Sequence, residues 1–484
     1  MREDHLSDEP TGRPWRDSPD LLLILRPTSG RPLWEQLRDA LRDAVRTGRL
    51  PAGSRLPSSR ALAADLGVSR GVVVDAYAQL AAEGYLTSVA GSGTHVAATF
   101  QLPRVEPVTQ QPPIPAPAGI IEFDLRADPP DLALFPRRKW ASATRDAVRD
   151  LTDIELGYGD PRGAARLRTE LAAYLARTRG AMVDGDSVLI VAGVTQGLTL
   201  LGRLLVERGQ DTLAVEDPGG RWMQRVAAST GLRLVPVPVD RDGLDVAALA
   251  ATDVRAVLCT PAHQFPTGAV LSSARRRALV RWAMECDGVV IEDDYNGMFR
   301  WDRMPMGCVQ GLDHHRVALL GSVSRSLGPG LRLGWAVPPP ALLDPLVAAK
   351  RDADGGCPVI AQQALARLIE MGAFDRHLRR ARRLYRARQD ALLIALDQEL
   401  PEWPVAGAVA GLHVWLQPPG RLDAATLVAA AAARGVAIDV TATTTEAPAE
   451  LSGLVVGYAR LDSRHATEAV ARIADAVREV GLRT

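Results

Sequence analysis

The chain separates into two regions that differ in the spacing of their apolar residues. Between residues 21 and 97 the spacing is helical, and one predicted helix has an apolar face of Val72, Val73, Ala76, Tyr77 and Leu80. From residue 120 onward, short apolar runs alternate with helical stretches. Several of these runs are continuous, as expected for strands buried on both faces of a mainly parallel sheet. The pattern predicts a small helical unit followed by an α/β domain.

The second region is regular enough to place individual elements. Strands are predicted at residues 187–191, 212–215, 232–239, 254–259, 288–291 and 317–320, and helices between them at 197–207 and 273–285. After residue 341 the sequence becomes long-helical, with an arginine-rich stretch at 377–396 and a last helix at 465–480. This part predicts a smaller α+β domain beside the large sheet.

Composition suggests where the domains end. Residues 1–20 are rich in charge and proline and predict a disordered tail. Residues 21–97 form the first domain, and residues 98–119 are a linker because 103–117 contain six prolines, which favour an extended spacer. We expect the large domain at 120–340 and the small one at 341–484.

Bulk composition excludes several classes of protein. The 484 residues are 47% hydrophobic and carry equal numbers of basic and acidic side chains, 57 of each. The apolar run at 21–25 is too short for a signal-peptide core or a membrane span. Four scattered cysteines show neither a C-x-x-C pair nor metal-like spacing with histidine. We expect a reduced cytoplasmic protein with no metal and no membrane partner.

The first domain carries the punctuation of a helix-turn-helix. Ser58 is placed to cap a short helix that ends at Leu66, where Gly67 supplies a left-handed turn residue. Ser69 is placed to cap a second helix, whose N-terminal Arg70 would reach a guanine edge or a phosphate in the major groove. Residues 83–96 then predict a two-stranded wing with a glycine tip.

This domain resembles the winged helix-turn-helix of GntR-type regulators. The resemblance rests on Pro-x-Gly-x-Arg-Leu-Pro-Ser-x-Arg, Leu-Gly-Val-Ser-Arg, Glu-Gly-Tyr-Leu and Gly-x-Gly-Thr-x-Val, in the family order. It implies that DNA is contacted by Arg60, Ser69, Arg70 and Gly91. Gly71 and Ser88 depart from the polar and basic residues common in the family. Nine arginines against six acids in 21–97 mean that placement, not charge, carries the DNA prediction. The alternative is a winged helix that contacts protein or that is vestigial.

The second region contains a phosphate-binding turn and several associated motifs. Residues 191–197, Val-Ala-Gly-Val-Thr-Gln-Gly, follow a strand and open a helix, where free N–H groups and the helix dipole favour an anion. The motifs are Tyr-Gly-Asp-Pro-Arg-Gly at 158–163, Thr-Pro-Ala-His-Gln-Phe-Pro-Thr-Gly at 260–268, Ile-Glu-Asp-Asp-Tyr at 291–295 and the loop at 321–335. Their order resembles that of fold-type I pyridoxal-phosphate enzymes.

The whole chain resembles the MocR/GabR-type regulators, in which a GntR-like domain is fused to a fold-type I aminotransferase-like domain. The resemblance implies that Asp293 faces the pyridine nitrogen of the cofactor and Tyr295 its phenolic oxygen. It assigns the phosphate to Val194, Thr195, Ser322 and Arg332. Tyr158 would reach the phosphate of the neighbouring subunit of a homodimer. Arg460 is a candidate contact for an effector carboxylate, with a surface salt bridge as the alternative.

Two residues depart from that pattern. Arg325 stands where the family has the Schiff-base lysine, and a guanidinium is not an amine nucleophile. Gly220 stands where the family has an aromatic ring over the cofactor. The chain's only lysines are Lys139 and Lys350, and we interpret Lys350 as ordinary surface charge at the start of a long helix. Pyridoxal phosphate would therefore bind non-covalently at most. Arg325 would be available to contact its phosphate or an effector carboxylate. Alternatively, Arg325 replaced a lysine only because the chain as a whole uses arginine in place of lysine.

These residues predict a DNA-binding transcriptional regulator without catalytic residues. Its large domain would dimerise and sense an amino acid, pyridoxal phosphate, the aldimine of the two, or an unrelated small molecule. One alternative is an active aminotransferase that has kept a DNA-binding appendage. Another is a ligand-independent DNA-binding dimer.

Overall fold

A computed structural model describes residues 25, 30–89, 93–97, 120–300, 306–407, 410–442 and 451–481. The chain divides into two units, Met1–Pro115 and Ala116–Thr484, and each is described by itself. The predicted tail at 1–20 and the predicted linker at 98–119 lie outside the described residues.

The first unit is a three-helix bundle with a wing. Its elements are α1 (Leu33–Arg46), α2 (Ser59–Leu66), α3 (Arg70–Ala82), β1 (Leu86–Val89) and β2 (Gly93–Val96). The Ser58 hydroxyl accepts a hydrogen bond from the Ala61 N–H at 3.2 Å, and Gly67 ends α2 at φ +64°. β1 and β2 pair antiparallel, with Leu86 opposite Val96. The predicted helix-turn-helix and wing are confirmed.

The second unit is built on an eight-stranded sheet. It begins with β3 (Phe123–Asp124), α4 (Arg137–Asp150) and α5 (Ala165–Arg179). The sheet strands are β4 (Leu189–Val191), β5 (Thr212–Asp217), β6 (Arg233–Asp240), β7 (Gly243–Leu244), β8 (Ala256–Cys259), β9 (Val289–Asp293), β10 (Val317–Ser322) and β11 (Gly334–Val337). Between them lie α6 (Val194–Glu207), α7 (Arg221–Ala228), α8 (Val246–Ala250) and α9 (Ser273–Glu285).

The six predicted strands all occur, as β4, β5, β6, β8, β9 and β10. With β7 and β11 they form a sheet in the order β4-β11-β10-β9-β8-β5-β6-β7. The central pairs β5–β6, β5–β8, β8–β9 and β9–β10 are parallel, whereas β11 is antiparallel to both of its neighbours. Buried leucines such as Leu201 and Leu279 belong to two apolar clusters that also contain the sheet residues. The prediction of a mainly parallel sheet is confirmed.

The rest of the unit is mixed α and β. Three helices, α10 (Pro340–Asp354), α11 (Val359–Glu370) and α12 (Ala373–Glu399), precede β12 (Val405–Ala406), β13 (His413–Leu416), α13 (Ala424–Ala433), β14 (Val436–Ala437), β15 (Asp439–Ala442), β16 (Leu451–Gly457) and α14 (Ala466–Val480). Four strands form an antiparallel sheet ordered β12-β13-β16-β15. The early strand β3 pairs in parallel with β14, so residues 123–124 join this C-terminal region.

The interpretation of Lys350 is wrong. It lies near the C-terminal end of α10 and its side chain is fully buried. Its ammonium group is 2.5 Å from a carboxylate oxygen of Asp354, which also accepts from the side chain of Gln196 at 2.6 Å. A buried ammonium needs a partner of this kind because the low dielectric penalises an unpaired charge. Asp354 therefore connects Lys350 to the first turn of α6.

Candidate DNA-binding surface and effector pocket

The first unit exposes its predicted DNA contacts together. Arg60 on α2 and Ser69 and Arg70 at the start of α3 are all exposed. The Arg70 guanidinium lies 3.4 Å from the hydroxyl oxygen of Ser59, so the two helices converge at this point. Ser69 occupies the N-cap position, but its hydroxyl makes no capping hydrogen bond. The N-terminus of α3 is thus suited to receive an anion. Gly91 lies outside the described residues.

Arg55 is a surface residue that the sequence reasoning did not single out. It forms an isolated β-bridge with His95 of the wing. A Cβ atom added to Gly93 would lie 3.3 Å from the Arg55 guanidinium, so this exposed side chain runs along the second wing strand. Its place in the Pro-x-Gly-x-Arg motif was the sequence signal that could have identified Arg55.

The second unit contains an anion cradle at the start of α6. The N-cap residue Gly193 has φ +95° and no side-chain cap, and Val194 and Thr195 are the first two helical residues. The Arg332 guanidinium lies 3.2 Å from where a Cβ of Gly193 would be and donates to the Ala192 carbonyl oxygen. Backbone N–H groups and a guanidinium therefore surround one position, as a phosphate group requires.

Sheet register brings Ser322 to the same place. Ser322 ends β10 and pairs with Gly334, which in turn pairs with Val191 at the end of β4. A Cβ on Gly334 would lie 2.9 Å from the Cα of Gly193, so this close approach leaves no room for a side chain. The four predicted phosphate contacts, Val194, Thr195, Ser322 and Arg332, lie at adjacent strand and helix ends.

Asp293 is a buried carboxyl group at the C-terminal end of β9. It is 6% exposed, and its Oδ1 atom has no hydrogen-bond partner among the described residues. Burial, together with the neighbouring Asp294 carboxylate, raises the pKa of Asp293 to about 7, although the positive charge of Arg325 opposes the shift. An unpartnered buried carboxyl oxygen is costly, so this oxygen is available to accept a hydrogen bond from a group bound in the pocket.

Tyr295 belongs to a cluster of rings beside Asp293. Its hydroxyl lies 3.0 Å from Nδ1 of His263, and burial lowers the pKa of His263 to about 4. The His263 ring centroid is 5.0 Å from that of His413, which lies 5.1 Å from that of Phe265. The sequence reasoning quoted the motif that contains His263 but gave this histidine no role, and it did not single out His413.

Glu216 is buried like Asp293, but the sequence reasoning did not single it out. It lies in β5, one residue before the strand ends, and accepts a 2.6 Å hydrogen bond from the Thr260 hydroxyl. Burial raises the pKa of Glu216 to about 7 even though this bond stabilises the carboxylate. Gly220 lies nearby as the N-cap of α7, and the nearest atom to an added Cβ would be a ring carbon of Phe265 at 3.8 Å. The structure therefore has space for a larger side chain at position 220.

Arg325 lies against the pocket and is held by the protein itself. Its guanidinium carbon is 5.5 Å from the centroid of the Tyr295 ring. One guanidinium nitrogen donates to the Ala127 carbonyl oxygen at 2.5 Å and lies 2.8 Å from a carboxylate oxygen of Asp128. The side chain is only 12% exposed. Arg325 therefore places a permanent positive charge beside Tyr295.

Arg460 holds the same segment from another element. It lies 2.6 Å from the Asp124 carboxylate and donates to the Asp128 carbonyl oxygen at 3.1 Å. Its side chain is 24% exposed, so this ion pair is partly shielded from water. Arg325 and Arg460 together clamp residues 124–128, which we call the clamped segment.

Tyr158 does not join the pocket within one chain. It is 95% exposed, and its ring lies 3.8 Å from the Cβ position of Gly355. Both residues line a cavity of about 730 Å³ between the 147–166 and 354–367 regions. A contact with the phosphate site of a neighbouring subunit stays a prediction.

Two family models match the chain. The model for bacterial regulatory proteins of the gntR family matches residues 33–96, and the model for aminotransferase class I and II matches residues 128–473. The chain belongs to the GntR-type regulators that carry an aminotransferase class I and II domain.

Full-length relatives support this membership. The chain is 33% identical to the HTH-type pyridoxine biosynthesis transcriptional regulator PdxR of Corynebacterium glutamicum, over 95% of this chain and 99% of that protein. It is 32% identical to the probable rhizopine catabolism regulatory protein MocR of Rhizobium meliloti, over 93% of this chain and 94% of that protein.

Solved structures match the second unit of this GntR-type regulator. The α-aminoadipate aminotransferase LysN of Thermus thermophilus, complexed with N-(5'-phosphopyridoxyl)-L-leucine, superposes with a TM-score of 0.67 at 29% identity. The match covers 75% of this chain and 93% of that one. The fold of the second unit is thus that of aminotransferase fold type I, as predicted.

Some kinds of site do not occur in the described part of this regulator. None of its described helices has the length and apolar character to cross a membrane. No group of three or more His, Cys, Asp or Glu side chains there is arranged to hold a metal ion. All four cysteines are free thiols, and Cys259 and Cys308 are buried.

Proposed function

We propose that this protein is a DNA-binding transcriptional regulator whose aminotransferase-like domain dimerises and senses a small anionic molecule without forming a covalent bond to it. The observation that carries the proposal is that Arg325 lies against a pocket whose other residues suit the cofactor. Asp293 offers an unpartnered buried oxygen, while the side chain over Tyr295 is a guanidinium. As part of this proposal, the winged-helix domain ends at residue 97, the linker at residue 119 and the large domain at residue 340.

The residues of the pocket fit pyridoxal phosphate. This cofactor supplies, when bound, a phosphate, an electron-withdrawing pyridine ring and an aldehyde. Val194, Thr195, Ser322 and Arg332 would hold the phosphate, because uncapped N–H groups and a guanidinium meet there. The unpartnered Asp293 oxygen would accept from the protonated ring nitrogen, and the Tyr295 hydroxyl would contact the phenolic oxygen.

Arg325 takes the position of the Schiff-base lysine in this proposal. A guanidinium stays protonated and offers no amine nucleophile, so any cofactor is held by non-covalent contacts alone. The chain's two lysines offer no substitute in the 321–335 loop: Lys350 is buried against Asp354, and Lys139 is exposed on α4. Arg325 would instead contribute a fixed positive charge and planar donors, which suit a carboxylate or phosphate.

The clamped segment suggests how an anion would be sensed. Arg325 and Arg460 are engaged by the protein's own Asp128 and Asp124. A ligand carboxylate or phosphate that binds the Nη atoms of these guanidiniums would compete with those carboxylates, because both need the same donors. Its binding would therefore favour release of residues 124–128, which follow soon after the predicted linker. A ligand regulates only when two conformations bind it unequally, and in this proposal the clamped and released forms of residues 124–128 would be those two conformations.

An active aminotransferase is the alternative, favoured by the likeness to LysN. It would need a nucleophile that Arg325 cannot supply. Purified protein, supplied with pyridoxal phosphate, should show no turnover of common amino acids with 2-oxoacids above the free-cofactor rate. Sustained turnover by protein free of contaminating enzyme would favour the alternative.

The regulator proposal is tested by footprinting on the DNA upstream of the protein's own gene, with and without pyridoxal phosphate. We expect a protected site whose affinity or extent changes with the ligand. An absorbance titration of the same protein should show saturable cofactor binding. A footprint that no ligand in an amino-acid and vitamin B6 panel alters would favour the ligand-independent dimer.

A further inference from the structure

The central part of helix α12 has an unusual charge. Between Arg376 and Arg388 the sequence contains seven arginines and no acidic residue, although the whole chain has net charge zero. The side of the helix that faces the core is apolar, with Leu378, Ala381 and Tyr385 buried. Two of the seven arginines serve the fold, since Arg382 donates to the Met298 carbonyl oxygen and Arg388 pairs with Asp131.

The other five form an exposed row, which we call the arginine stripe: Arg376, Arg379, Arg380, Arg383 and Arg386. Spacings of three and four residues put them on one face of the helix. With a rise of 1.5 Å per residue, the stripe is about 15 Å long. In the described part of the chain, Arg379, Arg380, Arg383 and Arg386 form no ion pair or side-chain hydrogen bond.

This arrangement is unfavourable for the isolated protein. Like charges three and four residues apart on a helix repel one another. The nearby carboxylates do not relieve the repulsion: Asp375 is paired with Arg177, and Asp390 lies beyond the C-terminal end of the stripe. Within the described residues, the stripe is thus an exposed positive surface with few compensating carboxylates.

We propose that the arginine stripe binds the phosphate backbone of the DNA that flanks the site contacted by the winged helix. This inference rests on the proposed DNA-binding function. Arginine suits phosphate because its planar donors match phosphate oxygens and its charge is permanent. A B-DNA strand presents one phosphate per 3.4 Å of axis, so a 15 Å stripe faces about four phosphates. The first unit has a net charge of only +3 over residues 21–97, so a second basic surface would add to the electrostatic attraction for DNA.

Covalent geometry allows both units to contact one DNA molecule. The 22 residues from 98 to 119 span at most about 80 Å when fully extended. The contact would be independent of base sequence, since it involves phosphates alone. It would therefore lengthen the footprint and add to affinity without changing which operator is chosen.

The test compares two variants of the full-length protein with equal changes of charge. The first carries Arg379→Gln, Arg380→Gln, Arg383→Gln and Arg386→Gln. The control carries Arg203→Gln, Arg255→Gln, Arg277→Gln and Arg281→Gln, four exposed arginines on other elements. Affinity for the upstream DNA is measured against salt concentration, on a fragment with flanks of about 20 base pairs and on one trimmed to the base pairs that the stripe variant still protects.

We expect the stripe variant to lower the slope of log affinity against log salt by about 2 to 4 on the flanked fragment, since each lost phosphate contact removes about 0.9. Affinity should fall at least tenfold near 0.1 M salt and be nearly unchanged on the trimmed fragment. The control should keep the parent's slope. Because charge repulsion is removed, the stripe variant should melt at or above the parent's temperature. If it misfolds, the single Arg383→Gln variant should still lower the slope by about 0.9.

The outcomes separate this inference from the proposed function. A parent that protects no upstream DNA contradicts the regulator itself. A parent that binds, with a stripe variant that keeps its slope on the flanked fragment, overturns the inference alone and leaves an acidic protein as the partner of the stripe.

Discussion

The Arg325 guanidinium lies over the Tyr295 ring, with 5.5 Å between the guanidinium carbon and the ring centroid. A cation over an aromatic face is attracted to it, so Arg325 is fixed at the pocket as well as at Asp128. The contact places a permanent positive charge beside Tyr295, at the position that we propose corresponds to the Schiff-base lysine. It also raises the question of what the pocket does with that charge.

The first prediction concerns covalent capture of the cofactor. Parent protein incubated with pyridoxal phosphate and then borohydride should carry no adduct at residue 325. Arg325→Lys should gain one, because it restores a primary amine beside Tyr295 and Asp293. Peptide mass spectrometry measures both, and the exposed Lys139 reports non-specific labelling in the same samples. A specific adduct at Arg325 in the parent would contradict non-covalent binding; no adduct in the variant would show that the pocket has diverged too far, with Gly220 the first suspect.

The second prediction concerns the winged helix. Arg70→Ala should weaken binding to the upstream DNA by about 1–3 kcal/mol, the range for an arginine that reads a base. Arg60→Ala should weaken binding to all sequences more uniformly and lower its salt dependence. Footprinting and titration measure both effects, with Arg281→Ala as an exposed control on α9. An Arg60/Arg70 double variant with the parent's footprint would refute the assigned DNA surface.

The third prediction concerns the clamped segment. Asp124→Asn should increase affinity for N-(5'-phosphopyridoxyl)-L-leucine about two- to fivefold, because Arg460 loses a competing carboxylate in a partly exposed pair worth up to about 1 kcal/mol. This probe carries a phosphate and a carboxylate and needs no lysine. Calorimetry measures the change, with the exposed Asp253→Asn as control. Equal or weaker binding by Asp124→Asn would contradict competition at Arg460.

The fourth prediction concerns pH. Burial raises the pKa of Asp293 to about 7, so the ligand-free folded state keeps a proton that the unfolded chain releases near pH 4. The resulting stability is full below about pH 4 and is lost as pH rises to about 7. His263, with its pKa lowered to about 4, gives the opposite trend, since its stability is lost as pH falls through the same range.

Comparison of the parent with Asp293→Asn isolates the carboxyl group, because both proteins keep His263. Between pH 5 and pH 7 the parent should lose about 1–3 kcal/mol more unfolding free energy than the variant, at about 1.4 kcal/mol per pH unit. Urea unfolding at the two pH values measures this difference. Parallel pH profiles would mean that Asp293 is ionised in the folded state throughout.

Local sequence determined much of this protein. Ser58 and Gly67 fixed the ends of α2 because a capping hydroxyl and a residue free to adopt positive φ act within one helical turn. The apolar runs located the parallel strands because a strand buried on both faces must be continuously apolar. The motifs also marked Asp293 and the start of α6, since both lie at strand or helix ends.

Tertiary structure decided which distant residues meet. Arg460 pairs with Asp124 across 336 positions and Arg325 with Asp128 across 197, so no local pattern relates them. Lys350 looked like surface charge because its burial depends on the packing of α10 against α6, which the sequence of α10 alone does not show. His263 meets His413 only because the sheet and the C-terminal region pack together. Spacing along a chain encodes local conformation and burial, whereas the partners of a buried charge are set by register and packing across the whole fold.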